Sequence, residues 1–272
     1  MTVTRRAAVL GSPIAHSLSP VLHRAAYAGM GLDGWSYEAI ECDEERLPAL
    51  LDSLDGSWAG LSLTMPLKRA VLPLLDSVSD LAVQVGGANT VIFEGGRRRG
   101  ENTDVHGIVR ALEEAGVTAP SSAVVLGGGA TACSALAALR EMGLSRAVVA
   151  VRDLARAGEA RAAADRLGVR IEVRTLDETA FDADLVVSTV PAGAADAHAV
   201  PVAAAAKAVF DVVYAPWPTP LAMAVAERGG VVVGGFPMLL HQAVRQVELM
   251  TGRADVPVEA MRRAGQARLA AT

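Results

Sequence analysis

The feature that most constrains the fold is an alternation, in the second half of the sequence, of short apolar runs with alanine-rich segments. The runs are continuously apolar, which is typical of parallel strands covered on both faces. The alanine-rich segments between them supply the crossover helices that join such strands. The runs are Ala123–Leu126, Ala147–Val151, Ile171–Arg174, Leu185–Ser188, Ala208–Val213 and Gly230–Val233. We therefore predict an α/β domain with a doubly wound parallel sheet over residues 104–235.

The first part of the sequence also alternates between strand and helix patterns, which predicts a separate α/β domain over residues 1–103. The predicted strands are Ala7–Leu10, Trp35–Ile40, Gly60–Leu63 and Thr90–Phe93, and the predicted helices are Pro20–Met30, Arg46–Asp52 and Ser77–Gln84. The segment Glu94–Gly100 is predicted to be a hairpin turn that holds Arg97–Arg99 in a solvated loop. A helix over His241–Thr251 is expected to return to this domain, so that C-terminal helices within residues 236–272 complete it.

The composition argues against several classes of protein. Of the 272 residues, 51% are hydrophobic and 20% are charged, which supplies apolar surface for two cores and excludes a disordered chain. A net charge of −5, with no basic run except Arg97–Arg99, argues against a nucleic-acid partner. No uncharged apolar run reaches about 18 residues, so we expect no membrane span.

Cysteine usage and the N-terminal sequence bear on localisation. Cys42 and Cys133 are too few for a disulfide framework or a metal knuckle, which favours a reducing, cytoplasmic compartment. The first residues lack the apolar core of a signal peptide, so no secretory signal is expected. Because His16 and His23 have no carboxylate or cysteine cluster near them in the sequence, we expect structural roles for them and no metal site.

A glycine motif follows the first strand of the second domain. Gly127, Gly129 and Ala132 form a glycine-x-glycine-x-x-alanine pattern between a predicted strand and a predicted helix. The first glycine permits a tight turn, the second lets the backbone approach a pyrophosphate, and the small third residue lets helix and strand pack closely. The helix N-terminus then offers N–H groups to the phosphates. This context predicts a Rossmann-type dinucleotide-binding site.

The tip of the next strand indicates which cofactor is bound. An acidic residue there would hold the ribose diol of NAD, whereas arginine accommodates the 2′-phosphate of NADP. Arg152 and Arg156 favour NADP because guanidinium groups form charge-assisted contacts with phosphate. Asp153 is a counter-signal, since its carboxylate would either pair with an arginine or repel the phosphate.

Two further segments carry groups suited to a small polar substrate. Ser17 and Ser19 lie where a strand becomes a helix, and they either donate to a polyhydroxylated ligand or merely cap the helix before Pro20. Lys68 follows a strand and is either a candidate proton donor or acceptor or, as this segment alone favours, an ordinary surface lysine. Asn89 and Asp104 bracket the predicted hairpin, whose antiparallel pairing could bring them together at one end.

These segments together resemble the shikimate dehydrogenase family. Four further segments agree with the resemblance, and they are Asp211-Val-Val-Tyr214-Ala-Pro216, Thr219-Pro220-Leu221, Gly235–Leu239 and Gln242-Ala243. The resemblance covers nearly the whole chain, with the motifs in the family's order. It implies two α/β domains with a cleft between them, and reversible reduction of 3-dehydroshikimate to shikimate by NADPH in aromatic amino-acid biosynthesis.

The resemblance also implies a role for each matching residue. Ser17, Ser19 and Tyr214 would bind the substrate carboxylate, Thr64, Asn89 and Gln242 would hold ring hydroxyls, and Lys68 and Asp104 would be the catalytic pair at the reacting oxygen. Gly127, Gly128, Gly129, Ala130, Thr131, Ala132, Arg152, Arg156, Val212 and Gly235 would line the NADP site. A monomer or a homodimer is expected, with a small-molecule substrate and no nucleic-acid or membrane partner.

Three positions depart from the family's usual pattern. Ser62 replaces an asparagine in the lysine motif, Ala130 replaces a glycine, and Val151 replaces an asparagine before the first arginine. The last two could weaken cofactor affinity or shift the preference for NADP.

Two alternative functions are considered. One is a quinate/shikimate dehydrogenase that uses NAD. In members of the family that use quinate, the segment matching Ser17-Leu18-Ser19 often resembles Ser-x-Thr, so Ser19 favours shikimate as the substrate. The other is a catalytically silent nucleotide-binding paralogue, whose mark would be loss of Lys68 or Asp104, and both residues are present.

Overall fold

The computed structural model describes residues 4–271, and within them the chain divides into two compact units. The first unit contains residues 4–83, 87–103 and 240–271, and the second contains residues 84–86 and 104–239. The mixed α/β class expected from the sequence is confirmed. The predicted outer limits, residues 1 and 272, lie outside the described residues, and the assignment of substrate and cofactor to separate domains stays a prediction.

A mixed six-stranded sheet forms the centre of the first unit. Its strands are β1 (Arg5–Gly11), β2 (Trp35–Glu41), β3 (Trp58–Leu63), β4 (Ser77–Val78), β5 (Thr90–Glu94) and β6 (Arg97–Glu101). The strand order is β2-β1-β3-β5-β6-β4, in which β1 is parallel to β2 and β3, whereas β5 is antiparallel to β3 and β6. The parallel strands are joined by helices, and β5 and β6 form a hairpin.

Four helices of the N-terminal segment accompany this sheet: α1 (Ser19–Gly29), α2 (Leu47–Asp52), α3 (Leu67–Ala70) and α4 (Asp80–Val85). The buried residues of α2 and α3 pack with strand residues such as Leu61 and Val91 in one apolar core. Burial of this kind contributes about 25 cal/mol per Å² of apolar surface, which is the main favourable term in folding.

A six-stranded, fully parallel sheet forms the centre of the second unit. Its strands are β7 (Ala123–Leu126), β8 (Arg146–Val151), β9 (Arg170–Thr175), β10 (Leu185–Ser188), β11 (Ala208–Asp211) and β12 (Val231–Val233). Their order, β12-β11-β10-β7-β8-β9, is that of the doubly wound dinucleotide-binding sheet predicted from the apolar runs. The strand order reverses at β7, so the loop after β7 lies where such sheets bind ligands.

The helices of this unit are α5 (Asp104–Glu114), α6 (Ala130–Glu141), α7 (Gly158–Leu167), α8 (Ala199–Ala205) and α9 (Pro220–Glu227). Short 3₁₀ segments occur at Leu72–Leu74, Leu154–Ala157 and Asp196–His198. Two helices end the chain, α10 (Gly235–Thr251) and α11 (Val258–Ala270). Helix α10 therefore begins six residues earlier than the helix predicted to start at His241. None of the helices in residues 4–271 is long and apolar enough to cross a membrane.

Two local predictions were wrong in detail. Ser77 and Val78 were expected in a helix, but they form β4 because they pair with Arg99 and Gly100 of β6, and helix α4 begins only at Asp80. Arg97–Arg99 lie in β6 itself and not in the turn. The turn is Gly95–Gly96, whose φ angles of 57° and 76° suit the two-residue hairpin turn that needs glycine.

Strand β11 ends two residues before the apolar run does. The run continues to Val213, but the Asp211 carboxylate accepts a hydrogen bond from the Val213 N–H at 3.2 Å. This local bond turns the backbone out of the sheet after Asp211, because a short acidic side chain competes with the strand for the neighbouring amide.

Candidate active site

The loop after β1 places the two serines predicted to bind a carboxylate. Helix α1 begins at Ser19, so Ser19 is the first helical residue and not its N-cap, which corrects the capping expected from the sequence. Leu18 occupies the cap position without a side-chain bond, and the Ser17 hydroxyl accepts from the Ser19 N–H at 3.3 Å. Ser19 is buried and Ser17 is half-buried.

The end of β3 places Thr64 and Lys68. The Thr64 N–H donates to the Leu10 carbonyl at 2.9 Å, and the Thr64 carbonyl accepts from the Leu67 N–H at 2.8 Å, which turns the chain into α3. A Cβ at Gly11 would lie 2.3 Å from Thr64 Cγ2, so the close approach of these segments requires glycine there. Lys68 on α3 is half-buried.

The structure brings the Lys68 backbone to the start of the β5–β6 hairpin. The Lys68 carbonyl accepts from the Ala88 N–H at 2.8 Å, and the Asn89 N–H donates to the Glu101 carbonyl at 3.0 Å. The backbone of Lys68 is thus hydrogen-bonded to Ala88, the residue that precedes Asn89. The predicted relation of Asn89 to Asp104 stays a prediction; Asp104 is buried and is the first residue of α5, directly after Thr103.

Asn89 lies in a buried cluster of amide and hydroxyl groups. Its Oδ1 accepts from the Thr103 N–H at 2.8 Å, and its Nδ2 donates to Thr103 Oγ1 at 3.0 Å and to Gln242 Oε1 at 3.4 Å. Asn89, Thr103 and Gln242 are all buried. The structure therefore brings together Asn89 and Gln242, two of the three residues predicted to hold ring hydroxyls. The cluster presents both N–H donors and oxygen acceptors, as recognition of a hydroxyl group requires.

Sequence reasoning missed the polar residues that support this cluster. Ser62, Thr90 and Gln246 are buried and hydrogen-bonded to one another or to Asn89. One signal was available, because Gln242 and Gln246 are four residues apart and so lie on the same face of a helix that is otherwise rich in apolar residues. A pair of amides on a buried helix face indicates a polar network.

The loop after β11 carries Tyr214. Asp211 at the end of β11 is buried, and its Oδ2 accepts from Thr219 Oγ1 at 2.8 Å. Thr219 in turn accepts from the Ala222 N–H at 3.2 Å and caps α9. Burial raises the pKa of Asp211 and also that of the half-buried Tyr214. The two ends of this loop are thus fixed by one carboxylate and one hydroxyl.

The glycine turn after β7 is shaped by the absence of side chains. Gly127 has a φ of +109°, and a Cβ there would lie 2.6 Å from Thr189 Oγ1. A Cβ at Gly128 would lie 2.5 Å from the Arg156 carbonyl oxygen. Gly129, in contrast, faces open space with no atom within 4 Å of its Cβ position. It precedes α6 and leaves the first N–H groups of that helix without a side-chain cap.

This arrangement fits a dinucleotide pyrophosphate. Ala130, Thr131 and Ala132 form the first turn of α6, whose unpaired N–H groups and positive dipole end suit an anion. The open face at Gly129 gives such an anion access to the backbone. Ala132 is fully buried, as expected of the small residue that lets helix and strand pack closely.

The loop after β8 carries the two arginines predicted to bind the 2′-phosphate of NADP. Arg152 and Arg156 are exposed, and neither guanidinium forms an ion pair within residues 4–271. The Asp153 carboxylate accepts from the Ala155 N–H at 2.9 Å and caps the 3₁₀ segment Leu154–Ala157. Asp153 therefore has a local structural role, which accounts for the counter-signal in the sequence.

Val212 and Gly235 lie against each other. A Cβ at Gly235 would lie 1.9 Å from the Val212 carbonyl oxygen, so the start of α10 approaches this backbone as closely as glycine alone permits. Two of the residues predicted to line the cofactor site are thus in contact.

Comparison with known proteins agrees with these features. Two family models match the chain: the shikimate dehydrogenase substrate binding domain at residues 9–91 and the shikimate 5′-dehydrogenase C-terminal domain at residues 235–264. The NADP⁺ shikimate dehydrogenase of Thermus thermophilus is 40% identical over 266 residues, which are 95% of this chain and 98% of that protein. The chain belongs to the shikimate dehydrogenase family.

Solved structures of family members extend this finding. Shikimate dehydrogenase from Mycobacterium tuberculosis superposes with a TM-score of 0.89 at 41% identity, covering 97% of this chain and 99% of the other. The Thermus thermophilus enzyme in complex with NADP(H) and shikimate gives 0.85 at 36% identity, with coverage of 97% and 99%. Quinate dehydrogenase from Corynebacterium glutamicum in complex with NAD gives 0.86 at 31% identity, with coverage of 97% and 99%. The two-domain α/β fold is thus common to this family.

Proposed function

We propose that this protein is an NADP-dependent shikimate dehydrogenase of aromatic amino-acid biosynthesis, which interconverts 3-dehydroshikimate and shikimate. The observation that carries the proposal is the 40% identity to an NADP⁺ shikimate dehydrogenase over 95% of the chain. The matched length includes both the buried cluster around Asn89 and the open glycine turn at Gly129.

Lys68 and Asp104 are the proposed catalytic pair. NADPH supplies the hydride that converts the ring ketone into a hydroxyl group. As negative charge develops on the ketone oxygen, the Lys68 ammonium stabilises it and donates a proton, so that the amine is left neutral until it regains a proton. Asp104 accepts a hydrogen bond from the same hydroxyl and holds the ammonium in place. The reverse reaction uses the neutral amine of Lys68 as the proton acceptor.

The remaining residues bind the substrate and the cofactor. Thr64, Asn89 and Gln242 hold the ring hydroxyls, and Ser17, Ser19 and Tyr214 donate to the carboxylate. The glycine turn Gly127–Gly129 and the first turn of α6 would hold the cofactor's pyrophosphate through their backbone N–H groups. Arg152 and Arg156 pair with the 2′-phosphate, which NAD lacks, and their exposed guanidinium groups support this assignment. Val212 and Gly235 complete the cofactor site.

A preference for quinate and NAD is the second candidate, and one structural neighbour, a quinate dehydrogenase in complex with NAD, favours its inclusion. Shikimate and quinate differ at the ring carbon that bears the carboxylate, so Ser19 is a residue that would distinguish them. Ser19 is buried, which leaves little space for the extra methyl group of a threonine.

The enzyme is further proposed to act in the cytoplasm as a monomer or a homodimer. The two cysteines, Cys42 and Cys133, are buried and unbridged, as expected in a reducing compartment. Sedimentation of the purified protein at several concentrations would give the oligomeric state.

Steady-state rates with shikimate and quinate, each with NADP⁺ and NAD⁺, test the proposal. Shikimate with NADP⁺ is expected to give the highest kcat/KM of the four combinations. A highest value for quinate with NAD⁺ would establish the second candidate. The absence of any absorbance change at about 340 nm in all four combinations would overturn the assignment as an enzyme and favour a silent paralogue.

A further inference from the structure

A chain of buried hydrogen bonds extends from β2 to Asn89, and we call it the polar relay. Its members are Tyr37, Ser62, Gln246, Thr90 and Asn89. The Tyr37 hydroxyl donates to Ser62 Oγ at 2.6 Å, and Ser62 Oγ donates to Gln246 Oε1 at 2.7 Å. Gln246 Nε2 donates to Thr90 Oγ1 at 3.0 Å, and Thr90 Oγ1 donates to Asn89 Oδ1 at 2.9 Å. No member is more than 4% exposed, so protein groups supply these bonds.

Two backbone groups set the direction of every bond in the relay. The Thr103 N–H can only donate, so the Asn89 side chain must turn its Oδ1 toward it, at 2.8 Å. The Asn89 carbonyl can only accept, so the Gln246 side chain must turn its Nε2 toward it, at 3.3 Å. These two anchors distinguish oxygen from nitrogen in both amide side chains.

The hydroxyl groups then have no choice of orientation. With Gln246 Oε1 facing Ser62, the Ser62 hydroxyl must donate to it and can only accept from Tyr37. Burial raises the pKa of Tyr37 well above its ordinary value, although its hydrogen bonds with the side chains of Ser62 and Ser19 act in the opposite direction. Tyr37 therefore keeps its proton and remains the donor that begins the relay.

The orientation of Asn89 determines what the cluster offers to a substrate. With Oδ1 held by Thr103 N–H and Thr90 Oγ1, Nδ2 lies on the side of Gln242 Oε1, at 3.4 Å. A donor and an acceptor then stand side by side, which matches a hydroxyl group that both accepts and donates. A reversed Asn89 side chain would place two amide oxygens against each other and lose this match.

We infer that Gln246 is a positioning residue for recognition of a substrate ring hydroxyl, acting through Thr90 to fix the orientation of the Asn89 amide, with Ser62 and Tyr37 fixing Gln246 in turn. This inference rests on the proposed function, which assigns a ring hydroxyl to Asn89. It gives a role to Ser62, the residue that departs from the family's usual asparagine. The hydroxyl of Ser62 accepts one bond and donates one, as its place between Tyr37 and Gln246 requires.

The test compares Gln246→Met, Thr90→Val and Thr90→Ser. Methionine keeps the length of glutamine, and valine keeps the shape of threonine, but neither side chain can form the hydrogen bonds of the residue it replaces. Thr90→Ser retains the hydroxyl and loses only a methyl group, so it is the matched control for packing. Shikimate Kd is measured by calorimetry without cofactor, and KM and kcat are measured with NADP⁺.

Gln246→Met and Thr90→Val are expected to raise the Kd and KM for shikimate about tenfold, as for one weakened hydrogen bond, with kcat changed less than twofold. Thr90→Ser is expected to restore the wild-type Kd to within about twofold. With shikimate analogues that each lack one ring hydroxyl, the variants are expected to bind one analogue as well as the wild type does. That analogue is the one that lacks the hydroxyl contacted by Asn89.

An equal loss of affinity for shikimate and for every analogue would show a general structural defect and overturn the inference, as would an unchanged shikimate Kd in both variants. Ser62→Ala is a second probe should Gln246→Met fail to fold, and it is expected to raise the Kd in the same direction. Failure of the wild-type protein itself to bind or oxidise shikimate would overturn the proposed function and the inference with it. Normal wild-type activity with unaffected variants would overturn the inference alone.

Discussion

The buried cluster around Asn89 consists of polar side chains, whereas the glycine turn Gly127–Gly129 consists of backbone without side chains. In the cluster, polar side chains are present and each has its hydrogen-bond partners inside the protein, such as Thr103 and Gln242. In the turn, side chains are absent, and a Cβ at Gly127 or Gly128 would meet neighbouring atoms at 2.6 and 2.5 Å. The first region is thus specified by side-chain chemistry and the second by backbone shape.

The difference follows from what each region is proposed to bind. A ring hydroxyl needs a donor and an acceptor at defined positions, which only oriented side chains supply. A pyrophosphate accepts from many N–H groups at once, so the backbone at a helix N-terminus serves, provided that no side chain blocks its approach. We therefore expect removal of side chains to damage the first region, and addition of side chains to damage the second.

The largest effect is expected from Lys68→Ala, because the side chain is proposed to stabilise charge and transfer a proton in the transition state. We expect kcat to fall by about 10²–10⁴-fold with little change in the shikimate KM. Lys207→Ala is the matched control, because Lys207 is the other lysine of the sequence and pairs with Asp184 on the surface at 2.6 Å. Comparable kcat values for Lys68→Ala and wild type would remove Lys68 from the mechanism.

The next effect concerns the acid stability of the first unit. His23 is fully buried and stacks on Tyr37 at 3.9 Å, and its Nδ1 donates to the Ser19 carbonyl at 2.9 Å. Burial lowers the pKa of His23 from 6.5 to about 4, against the smaller raising effect of the Ser19 bond. Between these pH values His23 is protonated in the unfolded chain but neutral in the folded chain. The free energy of unfolding therefore falls as the pH drops from 6.5 to 4.

We expect His23 to account for a loss of about 3 kcal/mol in the free energy of unfolding over this range, with no further loss from it below pH 4. Urea denaturation of wild type and His23→Phe at pH 4.5 and 7 measures it. The variant should show a smaller pH dependence, whereas His16→Phe, which alters an exposed histidine, should behave as wild type. Equal pH dependence in wild type and His23→Phe would contradict the prediction.

A third prediction separates the glycines that permit packing from the one that faces open space. Gly128→Ala places a methyl group against the Arg156 carbonyl, so we expect a loss of about 1–3 kcal/mol in unfolding free energy. Gly129→Ala meets no atom of the chain, and we expect it to leave the unfolding temperature unchanged while it raises the NADP⁺ KM. Thermal unfolding and cofactor titration of both variants measure this contrast. Equal destabilisation by both variants would show that Gly129 has no more space for a side chain than Gly128 has.

The smallest effect is expected from the exposed arginines, the one place where the cofactor region depends on side chains. Removing Arg152 or Arg156 should raise the NADP⁺ KM about tenfold and leave the NAD⁺ KM unchanged, because only NADP⁺ carries the 2′-phosphate. Arg170→Ala is a suitable control, since Arg170 is an exposed arginine at the start of β9. A parallel rise in both KM values would show that these arginines contact a part common to the two cofactors.

Much of the fold could be predicted because local sequence patterns are sufficient to place most strands. The six apolar runs of the second unit all contain strands, and their parallel order follows from the crossover helices between them. Short strands were harder to predict from the sequence. Ser77 and Val78 form a strand only because β6 offers an edge to pair with, and no local pattern encodes that partner.

The candidate site likewise contains residues that local sequence predicts and contacts that it does not. Single residues such as Lys68 and Gly129 could be named from the sequence because their motifs stand in one continuous segment. The polar relay could not, since Ser62 and Gln246 are 184 residues apart and meet only when α10 packs beside β3.

The sequence by itself determined the order of the strands in the second unit, the glycine turn and the family to which the chain belongs, because periodicity, backbone freedom and motif spacing are local properties. Only the tertiary structure decided which way the Asn89 and Gln246 amides face and which glycines lack room for a side chain. These features depend on atoms brought close from distant segments, and on which of those atoms can donate a proton and which can only accept one.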